Sequence, residues 1–147
     1  MKNDIVVNIF MSIGIGFLFA QLQLFCGTDF LFKFLQSNLI TILIALIAIN
    51  SATLSIVLTK IREIMDKHNG GNFSRTKDQM ILSIQEQIFL IIFSIVCFII
   101  LDSTFIKIHT EYKIFIETLL IGTFIYSLRI LYDTAKSIFV ILDYKNE

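Results

Sequence analysis

The sequence predicts an all-α, polytopic membrane protein with four transmembrane helices and both termini on the cytoplasmic side. Three observations predict it. The 147 residues are 56% hydrophobic and only 16% charged, against roughly 45–50% and about 25% in a soluble domain. The apolar residues gather into four runs. Each run is long enough for the roughly 30 Å of bilayer hydrocarbon, crossed at about 1.5 Å per residue. Finally, a soluble helical bundle needs a polar outer face on every helix, and the segment 39–49, LITILIALIAI, has a single hydroxyl and no charge. Twelve basic residues balance twelve acidic ones, so net charge selects no partner. Proline is absent, which excludes collagen-like and proline-rich architectures, and two cysteines exclude a disulfide framework.

The expected spans are 5–25, 38–59, 84–105 and 112–132, with a cytoplasmic connection over 60–79, all in one domain covering 1–147. The first span lacks the small-x-small cleavage site of a signal peptide and is expected to be retained. It carries Asn8, Ser12, Gly16 and Ala20, four residues apart, a spacing that favours close contact with another helix.

The second span carries Thr41, Ala45, Ala48, Ala52, Ser55 and Thr59, spaced alternately by four and three, so they share one helix face. Such a stripe either admits a close neighbouring helix or lines a narrow polar path. Asn50, near the middle, is expected on or beside that path. Its amide needs a partner in hydrocarbon, on another helix or on the same residue of a second subunit. The helix is expected to continue to about residue 68, with Arg62–Asp66 and Glu63–Lys67 as i,i+4 pairs. Asn69, Gly70, Gly71 and Asn72 then stop it.

Ser74 or Thr76 can cap the third helix. Its polar start (Gln79, Ser83, Gln85, Glu86 and Gln87) is expected to protrude into the cytoplasm. Glu86 and Arg129 each lie eight residues from the centre of their span, about 12 Å of helix. Opposite charges at equal depth on antiparallel helices predict a salt bridge, which Asp133 can join from one turn away. Glu117 is expected to meet Lys113, or Gln21 and Gln23. Residues 133–147, with Ile138, Phe139, Val140 and Ile141, read as an amphipathic tail on the inner surface.

Orientation follows the basic residues of the short connections. Lys60, Arg62, Lys67, Arg75 and Lys77, together with Lys2, Lys136 and Lys145, outnumber Lys33, Lys107 and Lys113 on the other side. His68 and His109 then fall on opposite sides and share no metal. The sequence has no CxxC, no glycine-rich phosphate loop and no Ser–His pair at one depth. Cys26 and Cys97 both fall in the outer half, as inert thiols or as a disulfide. No catalytic site, metal or cofactor is expected.

The chain length, the four spans and the stretch ITILIALIAI (40–49), running on to Lys60-Ile61-Arg62-Glu63, resemble the small four-helix inner-membrane effectors of bacterial anti-phage, abortive-infection systems. The likeness is to the Rex-type exclusion membrane proteins and is confined to the second helix and its end. The layout is also similar to the Hailong-type channel, a small oligomeric channel held shut by a nucleic-acid ligand from a partner enzyme. What the resemblance implies is ion permeation that depolarises the bacterial inner membrane when a cytoplasmic ligand or partner sensor protein signals infection.

Four helices enclose no wide polar path alone, so a homo-oligomer, a tetramer by preference, is expected. In it the basic residues Lys60, Arg62, Lys67, Arg75 and Lys77 form a ring that holds a nucleotide or nucleic acid. Alternatively they only set topology and touch lipid heads in the bilayer. The other functional readings are an accessory or structural subunit of a larger membrane complex, and a small exporter with Glu117 as its carboxylate.

Overall fold

A computed structural model describes residues 2–67, 74–108 and 110–143. The elements are α1 (Lys2–Phe25), α2 (Phe30–Lys67), α3 (Ser74–Leu101), a short α4 (Thr104–Ile108), a 3-10 turn (Thr110–Tyr112) and α5 (Lys113–Asp143). Among the described residues α1, α2, α3 and α5 are long and apolar enough to cross a membrane. Their outward faces are apolar as well: Phe10, Leu18, Phe25, Phe89 and Ile99 are all exposed. A water-facing surface of this kind aggregates, so the fold fits a multi-pass membrane protein.

The helix ends follow local chemistry. Gly27 takes a left-handed φ of 64° and closes α1 with a pair of backbone bonds, Thr28 N to Gln23 O (3.0 Å) and Gly27 N to Leu24 O (3.2 Å). This is the glycine-terminated double bond that caps many helices. The next helix starts almost at once, with Thr28 Oγ1 accepting from Phe30 N at 3.3 Å.

So α2 begins well before residue 38. The polar residues Ser37 and Asn38 do not interrupt it, because their side chains donate to Lys33 O (3.2 Å) and Phe34 O (2.8 Å) one turn back. At 38 residues and about 1.5 Å each, α2 is roughly 57 Å long, far longer than the hydrocarbon layer. Conversely α3 stops at Leu101, short of 105. Asp102 N still bonds to Phe98 O, but Ser103 N turns to Ile100 O, and Ser103 Oγ receives Ile106 N to start α4. The expected surface tail is in part described, and residues 144–147 lie outside the described residues. Residues 133–143 continue α5 without a break, since neither proline nor glycine follows Gly122 in that helix.

At the α1–α2 turn, Lys33 Nζ sits 3.0 Å from Asp29 Oδ2. That hydrogen bond holds the Asp29 carboxyl below its ordinary 3.8. A depressed carboxylate contributes stability above its unfolded value, and the contribution is lost as pH falls through the folded one. Lys33→Met is expected to return Asp29 to about its ordinary value, read from the pH titration of its carboxyl NMR signal.

The bundle is organised around α5. Helices α1, α2 and α3 each pack on it, and α2 also packs on α3. Half of the apolar window of α5 is buried, against 17%, 28% and 22% for α1, α2 and α3. The core joins Leu35, Leu39 and Leu43 of α2 to Cys97 of α3, Ala20 of α1 and Leu120 and Ile121 of α5. A smaller cluster, Leu54, Val57 and Ile61 with Met80, ties α2 to α3 near the end that carries Lys60 and Lys77, here termed the basic end.

The small stripe of α1 meets α5 backbone to backbone. A Cβ on Gly16 would fall 2.7 Å from Gly122 N and Thr118 O, and a Cβ on Gly122 would meet Ile13 Cα at 3.2 Å. Ser12 and Ala20, one turn to either side of Gly16, are buried in the same contact. Small side chains let two helix axes come this close, and the dense contact replaces the hydrophobic drive that lipid does not provide.

Candidate functional site

Helix α2 has two different faces. Leu35, Leu39, Leu43, Leu46, Asn50, Leu54 and Val57 are buried. Thr41, Ala45, Ala48, Ala52 and Ser55 are all exposed on the outside of the bundle. Asn50 is therefore not beside the small-residue stripe, as the sequence reading had it. Two residues separate it from Ala48 and from Ala52, about 200° around a helix of 3.6 residues per turn. Two hydroxyls of the stripe are locally satisfied: Ser55 Oγ donates to Ser51 O and Thr59 Oγ1 to Ser55 O, both at 3.0 Å.

Asn50 points into the bundle. Its Nδ2 donates to Gln87 Oε1 at 3.1 Å and approaches Ser83 Oγ at 3.4 Å. Asn50 and Gln87 are 0% and 1% exposed. The complementary atoms Asn50 Oδ1 and Gln87 Nε2 are buried without a partner. The polar start of α3 is thus not uniformly solvent-facing. Gln79 and Gln85 are exposed, whereas Ser83 and Gln87, one turn apart, face inward.

The expected Glu86–Arg129 salt bridge is not formed. Arg129 Nε lies 3.4 Å from Asp133 Oδ2 on its own helix, with the guanidinium 5.6 Å from the Tyr132 ring centre. Glu86 lies instead beside Tyr126, with which it lines the same cavity. The reason is rotation rather than depth. Tyr126 stands nearly one turn before Arg129 and faces α3, while the Arg129 side chain is half exposed and takes its i+4 carboxylate. Glu86, Tyr126, Arg129 and Asp133 still surround one cavity of about 300 Å3 near the basic end, together with Asn8 and Ser83.

At the opposite end Lys113 Nζ lies 3.5 Å from Glu117 Oε1 and 5.7 Å from the Phe32 ring centre. Gln23 does not join Glu117, because its Oε1 accepts from Phe32 N at 3.1 Å. In the basic connection Lys60 Nζ pairs with Glu63 Oε2 at 2.6 Å, and Arg62 and Lys77 are exposed. The side chains of Asp66, Lys67 and Arg75, as well as residues 68–73 and His109, lie outside the described residues. Both cysteines are free, Cys26 exposed and Cys97 buried. Among the described residues no group of His, Cys, Asp and Glu is placed to hold a metal ion.

Sequence reasoning did not assign Asn8 and Tyr126 to this cavity, nor Gln87 to the buried contact with Asn50. The Gln79–Ser83–Gln87 spacing of four marks a polar helix face and was a usable signal for Gln87. Tyr126 had none, since an aromatic residue in an apolar run reads as lipid-facing or core alike.

Four helices long and apolar enough to cross a membrane, three of them packed on the fourth, fit a multi-pass helical membrane protein. Comparison of the chain with protein-family models, curated proteins and solved structures finds no match.

Proposed function

We propose that the protein is an oligomeric ion channel of the bacterial inner membrane, with both termini in the cytoplasm. The conduction path runs between subunits along the outward stripe Thr41, Ala45, Ala48, Ala52 and Ser55. The observation that carries this reading is the exposure of that whole stripe on a helix whose other face is sealed. Leu39, Leu43, Leu120 and Ile121 are at most 2% exposed, so a single subunit offers no aqueous route through its centre. A small-residue face left in lipid forgoes the close packing that a neighbouring helix obtains. A symmetric homo-oligomer, a tetramer by preference, gathers these faces around an axis. A narrow, weakly polar lining of this kind gates by dewetting.

The trigger is assigned to the basic connection, where Lys60, Arg62, Lys67, Arg75 and Lys77 receive a cytoplasmic nucleotide, nucleic acid or partner sensor protein. Depolarisation in anti-phage defence is the role that joins these properties. The test is ion flux from the purified protein in liposomes. Ala48→Leu and Ala52→Leu are expected to abolish flux while the oligomer survives, and the serine replacements to preserve it. Normal conduction by both leucine variants moves the path off α2. The cavity around Glu86 favours one second reading, a small exporter, for which the same liposomes report substrate-coupled proton movement.

A further inference from the structure

Helices α1 and α3 both lie on α5 but barely touch each other. Between them runs an open groove of about 420 Å3, walled by Ile9 and Ile13 of α1 and by Phe89 and Phe93 of α3, with Gly122 in its floor. At the basic end this groove opens into the polar cavity described above. Ile5, Leu82, Glu86 and Tyr126 line both spaces. The result is one continuous site with an apolar arm and a charged head. Each part falls in or near the roughly 300–1,000 Å3 range of ligand pockets.

The chemistry of the head is specific. Glu86 stands where the two spaces join, and among the described residues it forms no ion pair. A carboxylate within an apolar span is costly without a cation. On the other side of the head, Arg129 is half exposed and bonded to Asp133 through Nε. A guanidinium presents several donors in a planar fork suited to phosphate. The site therefore sets an acid and a base at the mouth of an apolar groove. This charge pattern complements a zwitterion that carries an ammonium, a phosphate and a long hydrocarbon chain.

We propose that the joined groove and cavity bind an aminophospholipid of the surrounding bilayer, with an acyl chain between α1 and α3, the ammonium on Glu86 and the phosphate on Arg129. The ammonium has three N–H donors, which Glu86 and the Tyr126 hydroxyl oxygen accept. The trimethylated counterpart has the same charge and none of these donors. Both polar anchors lie in the halves of their spans nearer the basic end, the side from which a headgroup would reach them. The lipid closes the gap between α1 and α3 and supplies the contact that these two helices do not make with each other.

The test is native mass spectrometry of the full-length protein, released from mild detergent after addition of phosphatidylethanolamine or phosphatidylcholine with identical acyl chains. The unsubstituted protein is expected to retain the ethanolamine lipid about tenfold better, the scale of one charge-assisted hydrogen bond. Glu86→Gln equalises the two lipids and Arg129→Gln lowers both together. Ile9→Trp, which fills the groove, also lowers both. Equal retention by the unsubstituted protein overturns the proposal whether or not the variants fold. A preference that survives Glu86→Gln, or unchanged retention by Ile9→Trp, also overturns it.

Discussion

Replacing Gly16 by valine is expected to pull α1 away from α5 and to cost about 3 kcal/mol or more, at or above the upper end of overpacking penalties. Even the first carbon of a side chain at this position would fall 2.7 Å from two backbone atoms of α5, which have no rotamer to move. Alanine separates two opposing effects. In an open helix, glycine to alanine gains up to about 1 kcal/mol. At Gly16 the clash outweighs that gain, so Gly16→Ala is destabilising. At Gly122 the nearest contact is 3.2 Å, and the loss is smaller. Gly14 has nothing within 4 Å of its Cβ position, so Gly14→Ala is neutral or stabilising. Unfolding in sodium dodecyl sulfate, followed by circular dichroism, reads the series. A Gly16→Ala protein as stable as Gly14→Ala would remove the close α1–α5 crossing.

The second large effect is expected at the amide pair. Asn50→Ala leaves Gln87 with neither its accepted hydrogen bond nor a partner for Nε2, which costs about 1–3 kcal/mol for a buried polar group. Gln87→Ala leaves Asn50 with only the 3.4 Å contact from Nδ2 to Ser83 Oγ, so its cost is expected to be the smaller of the two. The double replacement Asn50→Leu with Gln87→Leu removes both polar groups and restores volume, so it is expected near wild-type stability. The cycle isolates the coupling. Polar pairs between membrane helices average about 0.6 kcal/mol and reach about 1.7, and this pair makes only one of its two possible bonds. A coupling near zero in the same unfolding assay would dissolve the Asn50–Gln87 contact.

Much of this architecture is written locally. Whether a segment is long and apolar enough to span a bilayer depends on its length and summed hydrophobicity, so four such helices were legible without knowing what packs on what. The stripe Ser12, Gly16 and Ala20 likewise announced a close approach, because side-chain size on one helix face is a local property. The ends were legible only where a terminator is local. Gly27 closes α1 through its own backbone conformation, whereas Ser37 and Asn38 looked like a polar flank and instead bond back into α2.

What the sequence left open was rotation. Depth along a helix follows from counting residues, and Glu86 and Arg129 do share a cavity at one level. Pairing also requires that two side chains face each other across a crossing, and that angle depends on how α3 and α5 pack. The observed packing sets Tyr126 before Glu86 and turns Arg129 back to Asp133. The same holds for α2. Its sequence displays both a small-residue face and a leucine face holding Asn50, and either is a plausible interior. The tertiary structure turned the leucine face inward, because burying Leu35, Leu39 and Leu43 against α5 fills the bundle and Asn50 finds its amide partner only on α3. The residues that line the gap between α1 and α3 became neighbours for the same reason: side chains on three separate helices converge only when all three lean on one central helix.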